Sequence, residues 1–178
     1  DKRHGGQIHD GPDDEVDHHA VYIADILNRR YEVFGKLGLL FPSRPGRSIG
    51  NIGTYQRHEF TSSIGLNHYI ATQQTAMYQG IYQDYFVPGE HEYIAGVSFQ
   101  YDRLDETFNS IQSLRTRYIP GAFLEYTYSM DDRFKAVGGM REDYNSKFGW
   151  IFTPRLHLRY SFSELTILRM SAGRSFRE

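Results

Sequence analysis

The chain of 178 residues contains no cysteine, which removes disulfide scaffolds, thiolate zinc sites and thiol nucleophiles together. It carries no excess of either charge: 20 Lys and Arg stand against 22 Asp and Glu, for a net charge of −2. Without a basic surplus there is little to neutralise a phosphate backbone, and nucleic acid is not an expected partner. Nowhere is there the run of roughly 18 apolar residues from which a membrane-spanning helix is built. The most apolar stretch, Gly35 to Phe41, is interrupted by Lys36 and stopped by Pro42. The start, Asp1-Lys2-Arg3-His4, shows neither an initiator Met nor a charged-then-apolar signal pattern, and Arg177-Glu178 brings no closing signal, so a fragment of a longer protein is expected. Nucleotide-binding and zinc-protease motifs of the G-x-G-x-x-G, G-x-x-x-x-G-K and H-E-x-x-H types are missing. Gly46-Arg47-Ser48-Ile49-Gly50 does spell the G-x-S-x-G nucleophile elbow, but an elbow needs a helix after its serine. Pro42 and Pro45 before it and β-like alternation after it indicate a turn entering a strand. Neither an enzyme nor a cofactor is expected.

What the chain has is aromatics and glycine: 14 Tyr, 12 Phe and 17 Gly against only 6 Pro, a composition suited to strands with two different faces. Tyr93, Ala95, Val97, Phe99 and Tyr101 alternate with Ile94, Gly96, Ser98, Gln100 and Asp102. Phe152, Pro154, Leu156, Leu158, Tyr160 and Phe162 alternate with Thr153, Arg155, His157, Arg159 and Ser161. Tyr118 to Tyr128 and Tyr31 to Phe41 follow the same period of two, which means strand. With weaker candidates at residues 47–57, 70–86, 133–143 and 165–174, the total is about eight strands. Tight turns are expected at 42–46, 87–90, 129–132 and 163–164, and longer polar connections at 58–69, 103–114 and 144–150. Short connections on one rim and long ones on the other describe an all-β, antiparallel up-and-down transmembrane barrel segment, with about 9–11 tilted residues of each strand crossing the bilayer. Aromatics at the ends of the apolar faces, such as Tyr93 and Tyr101 or Phe152 and Phe162, stand where interfacial girdles would lie.

The C-terminal third narrows this further. Thr153-Pro154-Arg155, a tight turn, and Arg169-Met170-Ser171-Ala172-Gly173-Arg174-Ser175-Phe176-Arg177 resemble a barrel segment of TonB-dependent outer-membrane receptors. Pro120-Gly121-Ala122 and Gly139-Met140-Arg141-Glu142-Asp143-Tyr144 resemble the hairpin before it, and the likeness extends over about residues 28 to 178. The resemblance implies a mid-barrel piece of a large monomeric barrel in the outer membrane of a Gram-negative bacterium. Outer-membrane lipid would surround it, its own plug domain would fill it, and a TonB complex acting through a TonB box would energise it. It further implies import of a scarce nutrient, such as a siderophore-bound or other metal complex, cobalamin or a glycan, held by external loops. Arg169, Ser171, Gly173, Arg174, Phe176 and Arg177 would then mark the fold rather than a ligand site.

Candidate ligand-binding residues fall mainly in polar stretches. Residues 1–27 are acidic and His-rich and are expected to form an external loop, with 28–178 forming barrel strands. Within that loop His9, His18 and His19 offer nitrogens, and Asp13, Asp14 and Asp17 offer oxygens, to a borderline divalent cation. It is not an EF-hand, since Pro12 and Glu15 occupy positions that motif does not allow. A solvated loop remains the alternative. His58, Glu59 and His68 form a second candidate group, and Arg103, Asp105, Glu106, Arg115 and Arg117 a third. Glu125, Arg141, Arg155, His157 and Arg159 are expected to face the lumen and to pair with one another or with the plug. Two other readings stay open: a small complete eight-strand outer-membrane barrel with a structural or adhesive role, and a soluble β-rich binding module.

Overall fold

The computed structural model of the chain describes residues 1–6, 23–131 and 133–176. Among them are nine strands, all in one sheet: β1 (Lys2–Gly6), β2 (Ile23–Leu40), β3 (Ser48–Ile64), β4 (Asn67–Val87), β5 (His91–Phe108), β6 (Ile111–Met130), β7 (Phe134–Asn145), β8 (Gly149–Ser163) and β9 (Thr166–Gly173). Each strand pairs with its neighbours in sequence and no crossover occurs, the order of an up-and-down meander. No helix is present among the described residues, and none therefore is long and apolar enough to cross a membrane.

Two features differ from expectation. The expected strands correspond to β2 to β9, and a ninth, β1, comes from the segment assigned to an external loop, pairing Lys2 with Leu27 and Gly6 with Ile23. The stretches 58–69, 103–114 and 144–150 are not long loops but mostly strand, reversing at 65–66, 109–110 and 146–148. The physical reason is that polarity marks where a strand leaves an apolar environment, not where its hydrogen-bond ladder ends. β4 has 21 residues and β6 has 20, about twice what a bilayer crossing takes, and the surplus continues as polar hairpin. The reversals use residues that accept a left-handed backbone, Gly65 at φ +59° and Asn109 at φ +53°.

The chain divides into two compact units, one of residues 1–33, 55–76 and 102–116 and one of 34–54, 77–101 and 117–178. In the first, polar contacts bind strand to strand. The Tyr69 hydroxyl and the Arg115 guanidinium each donate to one oxygen of Glu106, at 3.0 and 2.8 Å. Gln73 and Thr75 both donate to Asp102, at 3.0 and 2.9 Å.

In the second unit register sorts the side chains of β6 to β9 onto two faces. Leu124 lies opposite Met140 and Met140 opposite Pro154, while Leu156 faces Ala172, Leu158 faces Met170 and Tyr160 faces Leu168. The other face carries Glu125, Arg141, Asp143, Thr153 and Arg155. Burial is inverted relative to a water-soluble domain: among the described residues Ala71 is the one buried hydrophobic side chain, whereas Ser62, Asp84 and Asn145 are buried. Trp150, Phe162 and Met170 are 72%, 64% and 57% exposed. A contiguous apolar face of this size is stable only against an apolar surrounding.

Candidate functional site

The polar face of the second unit is built by alternation. Arg141 and Asp143 are two residues apart on β7 and so share a face. Arg141 donates through Nε and Nη2 to the two Asp143 oxygens at 2.6 and 2.7 Å, and through Nη2 to Ser98 Oγ on β5 at 2.7 Å. The strand between them, β6, presents Gly121, where a Cβ would stand 2.0 Å from an Asp143 oxygen. Only a residue without a side chain leaves room for this bridge. One step along, Phe123 lies against Gly96, whose added Cβ would sit 2.3 Å from the ring, and the Arg141 guanidinium stands 5.9 Å from the centre of that ring. On the far side of Arg141, Glu125 forms an ion pair with Arg155, and Gly139, opposed to both residues in register, makes space for the Arg155 side chain. Phe123, Arg141, Asp143 and Arg155, together with Gln100 and Arg174, border an open cleft of about 600 Å³. Its chemistry is that of a wall lining a wide aqueous space: charges fixed by opposite charges, with donors and acceptors left at the surface.

A second polar cluster ties the turn at 41–47 to β4. Asp84, 2% exposed, accepts from Arg44 Nε at 3.1 Å, Arg47 Nε at 2.9 Å and the Tyr82 hydroxyl at 2.7 Å, and its other contact is the Tyr85 backbone N–H at 2.8 Å. The hydrogen bond to Asp84 holds the Arg47 guanidinium above its already high ordinary value, so this anchor stays charged at any physiological pH. The Gly46–Gly50 elbow motif is accounted for here: Gly46 has φ +97° in the turn and Ser48 opens β3, with no helix after it.

The residues singled out from sequence separate into several groups. His9, Asp13, Asp14, Asp17, His18 and His19 lie outside the described residues, as does Arg177. His58 donates from Nε2 to Asn28 Oδ1 at 2.7 Å, Glu59 pairs with Arg57 at 2.8 Å, and His68 Nδ1 lies 2.9 Å from Ser63 Oγ. These three are thus each engaged with a different neighbour and are not gathered around one point, and no three metal-ligating side chains converge among the described residues. Arg103 pairs loosely with Asp105 at 3.9 Å. Of the five expected lumenal charges, Glu125, Arg155 and Arg141 are in the ion pairs above, whereas His157 and Arg159 stand further along β8. Arg169, Ser171 and Gly173 lie on β9, the Arg174 N–H donates to Pro154 O at 3.0 Å, and Phe176 packs against Phe148 at 5.6 Å. Sequence reasoning missed Gly121, Phe123 and Asp143 as parts of the polar face, and placed Ser98 on its strand's non-aromatic side without foreseeing its contact with Arg141. The Arg141-x-Asp143 spacing within a strand was the available signal.

An apolar face and, opposite it, a polar face with paired charges, on long meandering strands, suit a membrane barrel wall. A family profile, that of the TonB dependent receptor-like β-barrel, matches residues 12–178. The chain belongs to this family. No curated protein and no solved structure matches it. TonB-dependent receptors are nutrient importers of the Gram-negative outer membrane, transporters rather than enzymes. Barrels of this kind turn an apolar band to lipid and a polar face to the lumen; on β6 to β9 Leu124, Met140, Leu156 and Met170 stand on the apolar face, and Arg141 and Arg155 on the polar one.

Proposed function

We propose that this chain forms part of the wall of a receptor that captures a scarce nutrient outside the cell and imports it with energy relayed by TonB. The observation that carries the reading is the two-faced sheet in a chain of this family: its lumenal side is polar and already neutralised between Ser98 and Arg155, as a passage for a bulky hydrophilic cargo requires. Cargo of the metal or iron-chelate class is favoured by the acidic His-rich stretch between His9 and His19, whose imidazoles and carboxylates suit a borderline divalent cation. The chain's own plug domain and the TonB complex would act from segments beyond these strands. The barrel acts alone, as a monomer in lipid.

The test is uptake of radiolabelled iron chelates and of labelled zinc, copper and nickel by cells carrying the whole receptor, with and without TonB, compared with a receptor lacking residues 7–22. Uptake that needs TonB and falls when 7–22 are removed, while the barrel still folds, supports both parts of the reading. TonB-dependent uptake of cobalamin or a glycan, unchanged by the deletion, would refute the metal assignment. Uptake indifferent to TonB would refute the energy coupling.

A further inference from the structure

The lumenal face changes character along β7 to β9. About 20 Å along β7 from Arg141, Lys135 lies directly opposite Arg159 on β8, and Arg159 lies directly opposite Arg169 on β9. All three are an even number of residues from Arg141, Arg155 or Gly173, so they share the lumenal face. Directly opposed residues on adjacent strands sit about 5 Å apart at Cβ, and like charges so placed repel. Among the described residues none of the three has an ion pair, and Arg159 Nε is buried without a hydrogen-bond partner. Ser161 Oγ, two residues on from Arg159, is likewise buried and unpartnered. The next opposed pair, His157 and Ser171, adds further hydrogen-bonding groups, and the row borders a cleft of about 300 Å³.

We infer that Lys135, Arg159 and Arg169 form an oxyanion-binding site on the lumenal wall. Two planar guanidinium forks beside one ammonium suit an oxyanion, whose oxygens take paired N–H donors from Arg and a point charge from Lys. The ligand is therefore a phosphate or carboxylate group. It comes either from an acidic side chain of the protein's own lumen-filling segment or from a free anion in the passage. The site rests on the lumenal assignment of this face but not on TonB coupling or on metal cargo.

The whole receptor in detergent tests it through Lys135, the one amine of the row. Zero-length carbodiimide coupling followed by peptide mass spectrometry reads a neighbouring carboxylate. An amide between Lys135 and an Asp or Glu outside residues 28–178 supports the site and assigns its occupant to the protein itself. Where no such link forms, acylation of Lys135 by an N-hydroxysuccinimide ester is timed with inorganic phosphate and with chloride at equal ionic strength. Slowing by about tenfold at a phosphate concentration about ten times its Kd, lost in R159Q/R169Q, supports a free-anion occupant. The variant's fold is checked by its heat-modifiable gel mobility. If it fails to fold, the wild-type comparison of phosphate with chloride still decides. No cross-link together with phosphate and chloride acting alike would overturn the proposal. Loss of TonB-dependent uptake in cells would leave these results unchanged.

Discussion

The two faces of β6 to β9 solve opposite problems with one alternation. On the apolar side Leu124, Met140, Leu156 and Met170 need no partner beyond hydrocarbon, and about half of each is exposed. On the polar side Arg141 is held by Asp143 and Ser98, Arg155 is paired with Glu125, and Gly121 and Gly139 leave the room these side chains occupy. Even the polar face is not uniform, since Arg141 has its carboxylate and the Lys135–Arg159–Arg169 row has none among the described residues. The difference teaches that position on a barrel wall sets the sign and size of a substitution more than residue type does.

The sharpest way to break the comparison is to put a charge on the wrong face. Leu156→Arg on the lipid side is expected to cost about 2–4 kcal/mol if it lies near the bilayer midplane, and Thr153→Arg on the lumenal side much less. Urea titration of folding into lipid vesicles, followed by gel mobility, measures both. Equal costs would mean that the faces are assigned the wrong way round. Next in size is Gly96→Leu, which drives a side chain into Phe123 and the Gly80 carbonyl. Overpacking of this kind costs about 1–3 kcal/mol, and Phe123→Ala in the same chain should recover part of it if the ring is the obstacle.

Much of this was legible in the sequence, and the failures have a common cause. Period-two alternation located the strands and both faces of β8, and the Arg169 to Arg177 motif pointed to the family, because both signals are local. The lengths of the connections were misread: residues 58–64 and 103–108 carry only Phe60, Ile64, Leu104 and Phe108 among polar side chains, and a ladder of backbone hydrogen bonds through water leaves only a sparse hydrophobic trace. The pairing on the lumenal face was also hidden. Arg141, Ser98 and Gly121 lie on three strands, and only register brings them together. The same holds for Lys135, Arg159 and Arg169, which read singly as solvated charges.

The finest distinction lies within the lumenal face, where removing charge should have opposite effects at two sites. Asp143→Asn leaves Arg141 without its counter-charge, and because that guanidinium is partly exposed the loss is expected to be about 1 kcal/mol. Arg159→Gln removes a cation flanked by two others, and relief of repulsion should leave stability unchanged or raise it by about 0.2–1 kcal/mol. Urea midpoints of the two variants in lipid vesicles give the comparison directly. If R159Q is instead destabilised as much as D143N, an anion already neutralises the row in the folded receptor, and the same titration repeated after the lumen-filling segment is removed tells whether that anion belongs to it. Destabilisation that disappears with the segment identifies a carboxylate there. Destabilisation that persists and grows with added phosphate identifies a small ion.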